Sequence, residues 1–282
     1  MDHSDERFRP LPDGDFRRQR AYLADHLFAH SDGPSPPPTD PVAEEPWRGL
    51  IDLPTDVLLR TTDYQGTLVE MFHQQGNAWI FAMPEEEGLS IYVAGASYDA
   101  SDEFQAAIFC SMHGWYRQAA ACLRTALEVM STAAALGVSE NRSGFDLWRA
   151  GTTEPKFSSS LRVINSRQRR PDLYNYKTGV LGLLYKDLSD FAHARSGSTN
   201  VDLWQSTGPI WAPEALEHVS ALLLDTMAAC YLLMAIGWSD FRLPAEARGL
   251  FGPSSRRWAQ AGPGLLTATI ATRHRKRRAR LE

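Results

Sequence analysis

Cysteine is scarce in this chain. There are three, Cys110, Cys122 and Cys230, and none sits in a CxxC pair. That excludes a disulfide scaffold and a clustered-thiol zinc module. Their odd number fits free thiols in a reducing compartment. Cys110 and Cys122 fall within what periodicity reads as one helix, roughly 18 Å apart along its axis, too far to bridge. A signal-type apolar run is missing from Met1-Asp2-His3-Ser4-Asp5-Glu6, so a cytoplasmic protein is expected. Gly-rich phosphate loops, nucleophile elbows, kinase motifs and HExxH steps are missing as well. Long apolar runs are few. The one membrane candidate, 219–238, contains Asp225, and a mid-bilayer Asp costs roughly 2.5–3.5 kcal/mol. It reads as the central helix of a bundle, and no membrane partner is expected.

An excess of positive charge is also missing from the chain as a whole. In its 282 residues, 29 Lys/Arg stand against 34 Asp/Glu, a net charge of −5. The distribution is uneven. Residues 273–282 hold six Lys/Arg and one Glu, leaving a body with 23 basic and 33 acidic side chains. An acidic body with a basic tail does not suit a dedicated duplex-DNA binder. Hydrophobic residues at 43% and charged residues at 22% are ordinary for a globular protein.

Proline punctuates one stretch, SDGPSPPPTDPVAEEP at 31–46, with six of them. It reads as an extended linker. Three parts follow: 1–46, a short N-terminal amphipathic helix near 15–30 plus the linker; 47–251, a helical bundle domain; and 252–282, a disordered basic tail. Four helices are expected in the body, over about 55–75, 102–135, 176–194 and 213–238. The second has apolar residues at three- and four-residue steps, with Ser101 as N-cap and Gly137 as stop. Pro213 suits the first turn of the fourth. Ile91–Ala94 could form a short strand. The fold class is mainly α, an up-and-down helical bundle.

Polar groups line up on three of these helices. At the α-helical turn, His113, Arg117, Arg124 and Glu128 fall within about 60° of one another. Lys186, Asp190 and His193, with Ser189 beside them, form a second stripe, opposite the leucines. Glu214, His218 and Asp225 form a third. A surface helix needs a polar side in any case. The first two stripes gain interest from the segment that joins them. Residues 141–177 carry eight Lys/Arg against three acids, with Trp148, Phe157, Tyr174 and Tyr176 interleaved. Positive charge beside aromatic faces suits a single-stranded, phosphate-bearing partner. It equally suits an anionic protein surface, or solvation alone. Metal binding is disfavoured: Glu214 and His218 are one residue off the Glu-x-x-His step of di-iron bundles, and the step occurs once. No metal and no cofactor is expected.

The run Gly114-Trp115-Tyr116-Arg117-Gln118-Ala119, continuing through Leu123-Arg124 to Leu127-Glu128, resembles a helix of uncharacterised bacterial proteins akin to HEPN-domain families. So does the later Leu184-Tyr185-Lys186-Asp187-Leu188-Ser189, ending at His193. The likeness covers about residues 103–240. It implies an up-and-down bundle, often a homodimer, and in the ribonuclease members a metal-independent RNA-cleaving site built on an Arg-x4-6-His motif. Many members act in bacterial defence or toxin–antitoxin responses. Here no Arg precedes His193 at that spacing, and Lys186 stands there instead. An Arg-x5-His does occur at Arg20 and His26, in the detached N-terminal segment. The expectation is a protein that binds or cleaves RNA. Arg124 and Lys186 would hold phosphate, His193 would move the proton, and Glu128 would orient Arg124 or His193. Arg117, Ser189, Arg195, Arg169 and Arg170 are candidate substrate contacts. The alternative is a non-catalytic helical module that contacts a protein partner. The catalytic reading requires His193 to lie within about 10 Å of Arg124 or Glu128, in reach of a direct or water-bridged hydrogen bond.

Overall fold

The strongest periodic run, 102–135, folds as two helices joined by a hairpin turn at His113-Gly114-Trp115. Gly114 has φ +80°, in the left-handed region, and a Cβ there would lie 2.3 Å from the Ile210 carbonyl oxygen. Backbone strain and close approach together demand glycine. Periodicity is blind to this break, because apolar positions keep their three-to-four step on both sides of it. The computed structural model describes residues 41–83, 91–193, 209–238, 241–251 and 258, with side chains from Asp52 onward.

Helix α1 spans Pro41–Tyr64 and α2 Gly66–Ala82; the hairpin is α3 (Ala94–Met112) and α4 (Tyr116–Ser139). Three short helices follow, α5 (Arg142–Arg149), α6 (Phe157–Gln168) and α7 (Pro171–Tyr174). Helices α8 (Val180–Ala192) and α9 (Pro213–Gly237) complete the bundle, and a 3-10 turn spans Glu246–Phe251. The protein is mainly α, and no strand occurs among the described residues. Ile91–Ala94 forms a turn and the start of α3. Ser101, expected as a cap, is buried inside α3. Helix α4 passes through Gly137 and ends at Ser139, with Glu140 in the left-handed conformation at φ 54°. Helix α1 begins inside the proline-rich stretch, so the extended segment expected to reach residue 46 gives way at Pro41. The N-terminal segment with Arg20 and His26, the basic end at 273–282 and Arg195 lie outside the described residues. Within 252–282 only Trp258 is described; it is buried, 5.8 Å from the Phe251 ring.

Helix α4 is the hub. It packs against α3, α9, α6 and α8, and touches α5. Its inner face, Ala119, Leu123, Ala126, Leu127, Met130 and Ala133, is fully buried. Helix α9 is apolar almost all round, and an unbroken run from Thr226 to Ile236 is buried. Each fully buried Leu contributes about 1.5–3 kcal/mol of transfer free energy. Both α4 and α9 are long and apolar enough to cross a membrane by length and composition. In α9, 83% of the apolar window is already covered by protein. The Tyr116 hydroxyl accepts a hydrogen bond from the Ala212 N–H at 3.2 Å, which ties the start of α9 to the start of α4.

The segment 141–177 is itself helical. Asn141 caps α5 by accepting from the Gly144 N–H at 2.9 Å. After α7, the Asn175 side chain accepts from the Lys177 and Thr178 N–H groups, and this Asx turn delays α8 to Val180. Gly182 lets α8 approach that turn, since a Cβ there would meet the Tyr176 carbonyl oxygen at 2.1 Å. Leu181, Leu184, Leu188 and Phe191 then face the core as their spacing predicts.

Candidate functional site

Because α8 packs across α4, the polar stripes of the two helices meet. Arg124 lies in the third turn of α4 and Glu128 one turn on; their side chains are 28% and 37% exposed. The Arg124 Nε and Nη2 donate to Glu128 Oε1 at 3.3 and 3.2 Å. Its Nε also approaches the Tyr185 hydroxyl at 3.2 Å, and that hydroxyl donates to the same Glu128 oxygen at 2.6 Å. Its Nη1 lies 3.0 Å from His193 Nε2. A guanidinium can only donate, so Nε2 accepts here, and the ring proton of a neutral His193 sits on Nδ1. His193 caps the C-terminus of α8. Arg117, two turns before Arg124, donates to the Ala192 carbonyl at 3.2 Å and secures that same helix end.

Tyr185 is the pivot between helix and groove. Its ring stacks on Phe157 at 4.2 Å and 13°, and the Arg124 Cζ lies 5.1 Å from its centroid. Burial raises the Tyr185 phenol above its ordinary value, helped by its hydrogen bond to Glu128 and the charge of that carboxylate. For Arg124, partial burial opposes the charge, but Glu128 and Tyr185 outweigh it and keep the guanidinium protonated. Beside the cluster opens a cavity of about 590 Å³, lined by Glu128, Tyr185, Trp148, Lys156, Phe157 and Tyr176 among others.

The residues singled out by sequence separate into groups. Arg124, Glu128 and His193 come together, and Arg117 supports them. Lys186 pairs with Asp190 at 2.5 Å and is 63% exposed. The Ser189 hydroxyl is buried and makes no hydrogen bond among the described residues, so it is not presented to a ligand. His113 leaves the α4 stripe, because it caps α3 and its Nδ1 meets the Phe109 carbonyl at 2.8 Å. Arg169 sits exposed at the end of α6 with φ 55°, and Arg170 pairs with Asp172 at 2.6 Å. Glu214 and His218 stay on the exposed side of α9. Among the described residues no three His, Cys, Asp or Glu gather as a metal site would need. Sequence reasoning missed Tyr185. Its neighbour Lys186 drew attention by charge, while Tyr185 lies a quarter-turn away, toward α4 and Phe157. No protein-family model, curated protein or solved structure matches the chain.

Proposed function

We propose that the Arg124–Glu128–Tyr185–His193 cluster and the adjoining groove form a site that binds single-stranded RNA and cleaves it without metal. The observation that carries this reading is the 3.0 Å contact between Arg124 Nη1 and His193 Nε2. It joins a phosphate-binding group to a proton-transfer group across two helices distant in sequence. Arg124 has five N–H donors, and its internal contacts leave some for a phosphate oxygen. Once Arg124 turns to the phosphate, His193 Nε2 is free to take a proton from a ribose 2′-hydroxyl. The 2′-oxygen attacks phosphorus, the bond to the 5′-oxygen breaks, and that oxygen takes a proton from solvent. The products are a 2′,3′-cyclic phosphate and a 5′-hydroxyl. Trp148 and Tyr176, with Lys156 beside them, supply stacking faces and a phosphate contact in the groove. The resemblance to HEPN-type bundles supports the same chemistry, and with it a cytoplasmic homodimer in a defence or toxin–antitoxin setting.

The test is incubation of the purified protein with labelled single-stranded RNA from pH 6 to 8. The reading expects cleavage by wild type and, in His193→Ala, retained binding with cleavage abolished. Intact RNA at every pH removes the ribonuclease reading. A second reading, a non-catalytic interaction module, is favoured by a separate feature. An apolar groove of about 410 Å³ lies between α2 and α3, lined by Val69, Phe72, Ile80, Phe104 and Ile108 among others, with Phe81 and Phe109 exposed. Under that reading His193→Ala changes nothing, while Ile80→Asp abolishes capture of the partner protein.

A further inference from the structure

Between Arg60 and Arg117 the chain has no Lys or Arg and eight acidic residues. That stretch builds α2 and α3, the two walls of the apolar groove. The groove holds about 410 Å³, and Phe72, Ile80, Phe104 and Ile108 line it. Gly76 also lies on its wall, and a Cβ there would meet nothing within 4 Å. Glycine inside a helix is destabilising relative to alanine, so the depth it leaves comes at the expense of α2. Ile80, Phe81, Tyr98 and Phe109 stand exposed on the same two helices. Glu70 follows Val69 of the lining and Asp102 follows Ser101; both acids are exposed. The groove is apolar inside and acidic at its edges. Exposed apolar surface rimmed by polar groups marks an interaction site.

We propose that residues 265–280 of the same chain, which lie outside the described residues, occupy this groove. They read Leu265-Leu266-Thr267-Ala268-Thr269-Ile270, then Ala271-Thr272-Arg273-His274-Arg275-Lys276-Arg277-Arg278-Ala279-Arg280. The apolar half suits the lining, and the basic half, with six Lys/Arg, suits the acidic edges. The N-terminal segment is a poorer match, because Asp15 and Asp25 offset its Arg17, Arg18 and Arg20. The path also starts in the right place. The 3-10 turn packs on α2, where the Gln75 Nε2 donates to the Glu246 carbonyl at 3.4 Å. Gln75 adjoins Gly76 of the groove. Trp258 is buried, its ring 5.8 Å from that of Phe251, so the chain is still held beside this turn. The seven residues from Trp258 to Leu265 can span up to about 25 Å, against roughly 10–12 Å for the width of a helix. A short tether gives a roughly millimolar effective concentration, so modest contacts suffice for docking. This goes beyond both readings above. The RNA site on α4 and α8 stands or falls without it, and a protein partner would have to displace the segment first.

Lys276 is the only lysine after Lys186, which makes it a clean reporter. The experiment is zero-length carbodiimide cross-linking of the full-length protein, with a mixture of unlabelled and 15N-labelled chains, followed by chymotryptic mapping. The expected result is an amide from Lys276 to Glu70, Asp102 or another acid of residues 61–116, formed within one chain. Two variants keep the test sharp. Gly76→Leu fills the groove with a side chain that meets open space and favours the helix, so it should keep the fold and lower the yield of the link several-fold. Leu266→Ser combined with Ile270→Ser should lower it as much and leaves α2 and α3 untouched. The proposal is overturned if Lys276 forms no link to residues 61–116, or if its links join labelled to unlabelled chains, which would make a second copy the occupant. It is also overturned if the yield is unchanged in the double variant, since charge alone would then hold the segment.

Discussion

A guanidinium gripped by a carboxylate, a phenol and an imidazole is oriented in a way that a solvated arginine is not. Arg124 is in that position, and the single oxygen that Tyr185 and Arg124 share on Glu128 makes the three act as a unit. Tyr185→Phe keeps the stack on Phe157 and deletes the hydroxyl. It should cost about 1 kcal/mol in chemical denaturation, the worth of one partly buried hydrogen bond. The pH dependence has a definite sign. The folded-state phenol is raised, so the stability it carries is fully present below the ordinary tyrosine pKa of about 10 and is lost as pH rises through the higher folded value. Melting curves across the alkaline range should therefore fall less steeply for Tyr185→Phe than for wild type. Parallel curves would show that Tyr185 is not held as described. Glu128→Gln removes the charge that neutralises Arg124. It should tighten RNA binding several-fold while slowing cleavage, read separately as KM and kcat.

At the scale of elements, the hairpin turn matters most. Gly114→Ala places a side chain at φ +80° and against the Ile210 carbonyl. Strain alone costs about 1–3 kcal/mol, so a clear drop in Tm is expected. An unchanged Tm would mean that the turn is built differently. Leu123→Ala, at a fully buried position of α4, should cost about 2–5 kcal/mol. The same elements show what could be read in advance. The buried face of α8 was legible because uninterrupted 3.6-residue periodicity states which side is buried, and the central place of α9 because it is apolar almost all round. The break at Gly114 was not, because it depends on a backbone approach from residue 210. That single break removed His113 from the stripe and placed Cys110 and Cys122 on different helices. The convergence of Arg124, Glu128 and His193 was legible as two stripes, though not as a contact. The stripe that holds Lys186 and Asp190 was legible from their four-residue spacing, and the two pair in the fold.

Across the whole molecule, the charge pattern changes once side chains are placed. The basic segment 141–177 is partly neutralised within the fold: Arg142 pairs with Asp146, Arg149 with Asp99 and Arg170 with Asp172. Lys156 faces the groove, while Arg162, Arg167 and Arg169 stand exposed. Electrostatic affinity for RNA should thus be modest and sensitive to salt. Each phosphate contact contributes about −0.7 to the slope of log K against log salt for a single strand. Arg124→Ala should make the measured slope shallower by roughly one such contact. Arg142→Ala, whose charge is spent on Asp146, should leave it nearly unchanged.

Under the proposed function, α4 and α8 meet to form one proton-transfer and phosphate-binding site. The most direct measurement is product analysis after incubation with single-stranded RNA, comparing wild type, His193→Ala, and wild type on an RNA with a 2′-deoxy linkage at the cleaved position. Fragments ending in a 2′,3′-cyclic phosphate are expected only from wild type acting on the all-ribose RNA. Cleavage by His193→Ala at the wild-type rate, cleavage of the 2′-deoxy linkage, or intact RNA with wild type would each contradict it.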